Sequence, residues 1–360
     1  MWPFFSPKPR EHLGIDIGAT SIKIVKIAKN VSREPGPVQT VPVKAGRLET
    51  YASLEAAGYQ EGVALSVGSQ GATLVESEVT KMLDSLLASI DGRNHEVVIS
   101  IPAFSSFMDE IILPPMPDAE IPDAVMFEAR SHVPVPITEV EISWQVVEDK
   151  ERGKERVVSI VAVPKEIIFR YQNICAGLGL TIKALEVETF SIIRALGFYE
   201  EEFFLLLDIG ARNTTISLVK KGFLRASRNI ETSGEDITKV IAQGLGISLG
   251  RAEELKRDQG FLLASQNPLI GDLINPLADA IAEEALKLLS SGAKGEEVKK
   301  VILTGGSASL KGFPQYLERK LHLPIDIANP WATIEYDPRL KDIVKEKGPE
   351  FTVAVGLALY

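Results

Sequence analysis

The sequence predicts an α/β chain of two duplicated domains around a cleft, with a small α+β insert in the first domain. Three observations lead there. A strand-turn-strand segment near the N-terminus returns near residue 203, helices and strands alternate after each copy, and a proline-edged stretch interrupts the first half.

The first organised segment, LGIDIGATSIKIVKIA, alternates through Leu13, Ile15 and Ile17, turns at GATS and resumes through Ile22, Ile24 and Ile27. That is the pattern of a hairpin. From Phe203 the pattern recurs in FFLLLDIGARNTTISLVKKG, GFLRASRNI adds a further strand, and Asp16 and Asp208 occupy matching turns. Between the copies, SREPGPVQTVPVKAG leads into a stretch through residue 75 with no assignable element, read as an insertion. A helical pattern from Glu76 to Ile90 precedes the apolar run VVISIP. IIFRYQNICAGLGL, TIKALEVE and the segment from Phe190 to Leu196 then predict helix, strand and helix. The second half follows the same plan: a helix at EDITKVIAQGLG, a helical interlude through Leu289, the strand VKKVILTGG and a helix from Phe313 to Leu321. ILPPMP and HVPVPI bracket the interrupting stretch, whose strand candidates are ISWQVVED and RVVSIVAVP. The expected domains are therefore 10–102 with 166–200, an insert over 103–165, and 201–360 with a helical subdomain at about 245–297.

Composition narrows the function. At 360 residues and 45% apolar, the chain is long enough for two cores. A net charge of -10 without a basic tract argues against nucleic-acid binding, which needs clustered positive surface. Cys175 is the only cysteine, so no internal disulfide forms, and His12, His95, His132 and His322 are too far apart in sequence for a local metal motif. No segment has the roughly 20 apolar residues of a membrane span, nor does the N-terminus have the apolar run of a signal peptide. A cytoplasmic protein is expected. Trp2, Phe4 and Phe5 beside Lys8 and Arg10 offer a weak membrane-surface contact, with a loose terminus as the ordinary reading.

The turns carry the chemistry. A polyphosphate needs close backbone N–H donors, hydroxyls and a cation, and its Mg²⁺ needs carboxylates acting directly or through water. The first turn offers Asp16 for the hydrated ion, Gly18 and Ala19 for close approach, Thr20 and Ser21 as hydroxyls and Lys23 as charge. One such turn is ordinary, since Asp and Gly favour hairpins for conformational reasons. Its repetition at Asp208, Gly210, Thr214 and Thr215 points to a shared site. A third element, LTGGSASLKG, sets Gly305, Gly306 and Ser307 between strand and helix, suited to a nucleotide or simply to a tight turn.

In this order the elements resemble the actin-like ATPase superfamily, which implies two phosphate loops and an adenosine loop. Asp16, Gly18 and Lys23 match the first loop, Asp208, Gly210 and Thr214 the second, and Gly305 and Gly306 the third. In RAEELKR, Glu253 and Lys256 resemble the pair that holds ribose and base; a surface ion pair is the plainer reading. Within the superfamily the chain is similar to the PilM family of type IV pilus inner-membrane platform proteins. The matching stretches include LPPMP, FEARSHVPVPITEVEISWQV, VAVPKEII, EDITKVIAQGLGISLGRAEELKR, VILTGGSASLKGFPQYLE and AVGLALY. Ser233, where the family usually has glycine, and the longer segment between Ala45 and Gly71 depart from it. The resemblance implies ATP and Mg²⁺ as ligands, Asp16 and Asp208 acting on the ion through water, and turnover that is weak or absent. It also implies a groove between the first domain and its insert for the N-terminal cytoplasmic tail of the membrane protein PilN. Other pilus platform proteins would be further partners, and attachment to the inner membrane would run through them.

For hydrolysis, ALEVETF supplies Glu186 and Glu188 on the connecting strand and helix, with Glu186 the better placed by position and a structural carboxylate the alternative. Phe104, Phe107, Ile111 and Ile112 lie near the insert and read as core before groove. Two other functions compete. A sugar or small-acid kinase of the same fold would use an Asp as general base, yet no acceptor-binding motif is evident. An FtsA-like filament protein would end in a linker and an amphipathic helix, where this sequence stops at GLALY.

Overall fold

Two sheets of the same plan, each opened by an antiparallel three-strand meander and extended by parallel strands, organise the chain. The computed structural model describes residues 11–29, 45–55, 76–90, 95–149, 155–197, 202–293 and 295–360. The N-terminal Trp2–Phe5 reading and residues 56–75 of the unassigned stretch lie outside them.

In chain order the elements are β1 (Glu11–Ile17), β2 (Ser21–Lys29), β3 (Gly46–Glu55), α1 (Glu76–Ser89), β4 (Glu96–Ile101), β5 (Phe107–Leu113), α2 (Ile121–His132), β6 (Val140–Asp149), β7 (Arg156–Pro164), α3 (Lys165–Gly177), β8 (Thr181–Val187) and α4 (Glu188–Leu196). The second half continues with β9 (Phe203–Ile209), β10 (Thr214–Lys220), β11 (Phe223–Ile230), α5 (Gly234–Leu245), α6 (Leu249–Gln259), α7 (Leu262–Gln266), α8 (Pro268–Gly292), β12 (Lys300–Thr304), α9 (Phe313–Leu321), β13 (Ile325–Ile327), β14 (Ile334–Glu335), α10 (Lys341–Lys347) and α11 (Thr352–Ala358).

The first sheet has the order β14-β3-β2-β1-β4-β8 and the second β11-β10-β9-β12-β13. β1 and β9 hold equivalent places, each antiparallel to the next strand in sequence and parallel to a later one, β4 or β12. This correspondence is the duplication seen in the sequence. The alternation that predicts the hairpins also builds the cores: Ile15, Ile17, Ile22 and Ile24 are buried, each contributing about 1.5–3 kcal/mol. Leu205, Leu207, Ile209 and Ile216 do the same in the second sheet.

Residues between β4 and α3 form a separate three-stranded sheet, β5-β7-β6, with α2 on one face over Ile111, Leu113, Val158 and Ile160. Of the insert residues read as core, Ile111 is buried whereas Ile112, on the opposite face of β5, is 56% exposed.

Two stretches differ from the sequence expectation. β3, in the stretch with no assignable element, pairs along β2 and extends the first meander. The last segment, expected within 201–360 of the second domain, returns to the first sheet: β14 pairs with β3, and α11 packs on β1, β2 and α4. Glycine makes that docking possible. A Cβ at Gly356 would collide with the Ser191 carbonyl of α4, so the GLAL stretch permits close helix contact.

Candidate functional site

The two hairpin turns close in the same way. Gly18 N–H donates to Ser21 O at 3.0 Å, and Gly210 N–H donates to Asn213 O at 3.0 Å. Asp16 stands opposite Lys23 in the first ladder and Asp208 opposite Thr215 in the second, so equivalent carboxylates end equivalent strands. Ala19 and Thr20 form the half-buried tip of the first turn.

Asp16 is 5% exposed and held by donors. Ser100 Oγ donates to its Oδ1 at 3.0 Å and accepts from Ile17 N–H at 3.2 Å. Lys23 Nζ lies 3.7 Å from Asp16 Oδ2 and donates to Ser21 Oγ at 2.9 Å. Ser100 is absent from the sequence-derived site. Its signal is its place one residue before the end of β4, the strand parallel to β1.

In the second hairpin the structure shifts the hydroxyl by one residue. Thr214 pairs with Ile209 in the ladder, on the other face from Asp208, and donates to Thr232 O at 2.7 Å. Thr215 shares the Asp208 face and donates to Asn229 Oδ1 at 2.8 Å.

The glycine-rich third element abuts the second turn. Gly305 has φ +87°, and a Cβ there would lie 2.5 Å from Ile209 O and 2.6 Å from Asp208 Oδ1. Only glycine fits that approach. Ser307 N–H donates to Ile209 O at 3.2 Å, while a Cβ on Gly306 would meet nothing within 4 Å, leaving open space above it. Gly234 N–H, at the start of α5, donates to Gly210 O at 3.1 Å, and a Cβ there would strike Ser307 Oγ. Ser233, the departure from the family pattern, is the α5 N-cap residue, and its hydroxyl donates to Asp236 Oδ2 at 2.7 Å.

Glu253 and Lys256 are more than a surface pair. Lys256 is 6% exposed and donates to Gly234 O at 2.9 Å and to Thr238 Oγ1 at 2.8 Å, with Glu253 Oε2 at 2.7 Å. Burial opposes ionisation of Glu253, but Lys256 and the hydrogen bonds outweigh it and hold the carboxyl below its ordinary range. The pair thus joins α6 to the α5 N-terminus beside the second turn.

Glu186 and Glu188 separate. Arg194 grips both carboxylate oxygens of Glu186 and also donates to Gly356 O at 3.0 Å, which ties Glu186 to the α4–α11 contact. Glu188, first residue of α4, accepts Ala103 N–H on Oε2 at 3.1 Å. Desolvation, then Asp16 and Asp208, push its carboxyl well above the ordinary range. Glu188 is therefore the carboxylate whose charge meets those of Asp16 and Asp208. Glu186, favoured from its position in the sequence, is instead the carboxylate that Arg194 holds, and the change from strand to helix after Val187 separates it from Glu188.

Asp208 is pushed up to about 7 by desolvation and by Asp16, with Lys23 opposing, and Asp16 is raised chiefly by desolvation. Three carboxylates from both halves thus crowd around one lysine, an arrangement that a cation relieves. Among the described residues no group of three or more His, Cys, Asp or Glu side chains is placed to hold a metal ion. Among the same residues no helix is long and apolar enough to cross a membrane.

Paired meander sheets with matched Asp-bearing turns, joined by a glycine-rich strand-helix turn, define a protein of the actin-like ATPase fold. The family described as type IV pilus assembly protein PilM matches residues 14–360. The chain belongs to that family. A chain of the solved PilM-PilN type IV pilus biogenesis complex is 27% identical, with 98% of each chain covered and a TM-score of 0.80. MreB 5 of Spiroplasma citri, solved bound to AMPPNP, is 13% identical over 97% of this chain and 95% of its own, with a TM-score of 0.52, and shares the fold. The cell division protein FtsA of Agrobacterium fabrum (strain C58) is 30% identical over 179 residues. That match covers 43% of this chain and 39% of FtsA, so the chain spans about two-fifths of the length of this curated relative.

Proposed function

We propose that the chain is an ATP-binding scaffold for type IV pilus assembly that recruits the N-terminal cytoplasmic tail of a PilN-type membrane protein. The observation that carries the nucleotide half is the meeting of Asp16 and Asp208, from two equivalent hairpins, with Glu188 of α4 around Lys23. The partner half is supported by membership of the PilM family and by likeness to a chain solved in a PilM–PilN complex.

The donor set fits Mg-ATP. The Ala19 N–H and the hydroxyls of Thr20 and Ser21 would cradle the phosphates, with Gly18 and Gly210 permitting close backbone approach and Lys23 as the neighbouring charge. Asp16 and Asp208 would hold Mg²⁺ through water, the ion offsetting charge on both carboxylates and phosphates. Gly305, Gly306 and Ser307 would border the adenosine, the free space above Gly306 admitting it, and Glu253 with Lys256 would hold ribose or base. Thr215 suits the second turn better than Thr214, because Thr215 stands opposite Asp208 in the ladder and Thr214 points to the other face. Slow hydrolysis, if the site turns over, would use Glu188 to orient water rather than Glu186, which Arg194 holds.

Closing the cleft on nucleotide stabilises one arrangement of the two halves by differential affinity, so ATP serves as a clamp without obligatory turnover. An extended tail would lie between the first sheet and the β5-β7-β6 insert, held by main-chain hydrogen bonds and apolar pockets. The protein would then work on the cytoplasmic face of the inner membrane, attached through its partners and in contact with other platform components. Titration with a PilN-type N-terminal peptide, with and without Mg-ATP, tests this reading. Saturable peptide binding with little ATP consumption is expected; phosphorylation of a small acceptor without peptide binding would favour a kinase.

A further inference from the structure

α3 buries the stripe Ile167, Tyr171, Ile174 and Cys175 against the first sheet. Tyr171 has no exposed surface, and its cluster includes Ile15, Ile17, Ile99, Ile101, Ala103 and Val187. Each of these adjoins the site: Asp16 lies between Ile15 and Ile17, Ser100 between Ile99 and Ile101, and Glu188 follows Val187 and binds Ala103 N–H. The ring therefore lies beneath the site, and Glu188 and Asp16 are its strongest charged neighbours. Its hydroxyl is buried and has no hydrogen-bond partner among the described residues.

An unpaired buried hydroxyl is destabilising, and phenylalanine would fill nearly the same space without it. Of the two nearby carboxylates, Asp16 already has donors on one oxygen from Ser100 and near the other from Lys23. Glu188 receives Ala103 N–H on Oε2 alone among the described residues, which leaves it room for a second donor.

We infer that Tyr171 is a positioning residue of the nucleotide site: its O–H donates to the Glu188 carboxylate, directly or through one water, when Mg-ATP occupies the cleft. Glu188 is then fixed by Tyr171 as well as by Ala103, and its remaining lone pairs would be free to orient a water in the cleft. The inference rests on the nucleotide-site reading above.

Full-length protein carrying tyrosine labelled with ¹³C at Cζ tests it, the Tyr171 resonance being identified by its loss in Tyr171→Phe. Mg-ATP is expected to shift that resonance. Tyr171→Phe is expected to raise the nucleotide-free Tm by roughly 1–3 °C and to slow any single-turnover hydrolysis roughly tenfold, leaving tail-peptide affinity unchanged. If wild type binds Mg-ATP while the resonance stays in place, the inference is overturned and the nucleotide site stands. A Tyr171→Phe protein of markedly lower Tm also overturns it, because the hydroxyl then has a partner in the free protein. If wild type fails to bind Mg-ATP, the site reading itself fails and takes this inference with it.

Discussion

Arg225 of β11 and Glu110 of β5 form an ion pair of 2.7 Å between the second sheet and the inserted sheet, with side chains 14% and 13% exposed. Asn229, four residues further along β11, donates to Ala103 O at 3.4 Å and accepts the Thr215 hydroxyl. The insert is thus fastened to the strand beside the second turn as well as to the first sheet.

Arg225→Ala leaves Glu110 poorly solvated without this partner and is expected to destabilise the protein by about 2–4 kcal/mol in denaturant unfolding. Combined with Glu110→Ala, the two losses should add to less than their sum, since one interaction is removed twice. Strict additivity would show that the pair contributes nothing to holding the insert.

Lys256 is the second point of leverage, because its ammonium is bound to Glu253, Thr238 and the Gly234 carbonyl at once. Lys256→Ala removes the buried charge facing Glu253 Oε2 and leaves Arg257 alone to balance that carboxylate, and is expected to cost about 2–4 kcal/mol. Urea unfolding checks it. Glu253→Gln keeps hydrogen-bonding capacity and should cost less; the reverse order would mean that Lys256 is not the organising charge.

In metal- and nucleotide-free protein the crowded carboxylates make stability fall with pH. The Asp208 carboxyl titrates near 7 in the folded chain against an ordinary 3.8, so the folded state binds its proton more tightly. Its stabilising contribution is complete below about pH 4 and disappears as pH rises through about 7. With EDTA present, Tm should decline between pH 5 and 8, and Asp208→Asn should flatten the decline. A steeper decline in the variant would place the titrating group elsewhere.

Gly356 sets the approach of α11 to α4, and a side chain there meets the Ser191 carbonyl. Gly356→Ala is expected to cost about 1–3 kcal/mol, or more if α11 detaches. Thermal unfolding reads the loss; wild-type stability would mean that the terminal helix docks loosely.

Local features were legible where local physics decides them. The Asp16 and Asp208 turns follow from period-two alternation ended by Asp-x-Gly, and their equivalence from repetition alone. Glu188 was legible only as the second choice after Glu186, because where β8 ends and α4 begins, at Val187 and Glu188, decides which way each carboxylate points. Thr214 against Thr215 is a one-residue question of ladder register, which reverses the face a hydroxyl occupies. β3 has a largely half-exposed pattern and gains its identity from β2, and β14 and α11 return to the first sheet through contacts some 300 residues away in sequence. Tyr171 and Ser100 carry no motif; only the packing of α3 and β4 brings them under the site.

The central claim is that the two equivalent turns form one Mg-ATP site. Calorimetric titration of the full chain with Mg-ATP, beside Asp16→Ala and Asp208→Ala, tests it most directly. One nucleotide per chain is expected, with affinity reduced roughly tenfold or more in each variant and also reduced when EDTA replaces Mg²⁺. Absence of binding by wild type, or equal affinity in wild type and both variants, would contradict the claim.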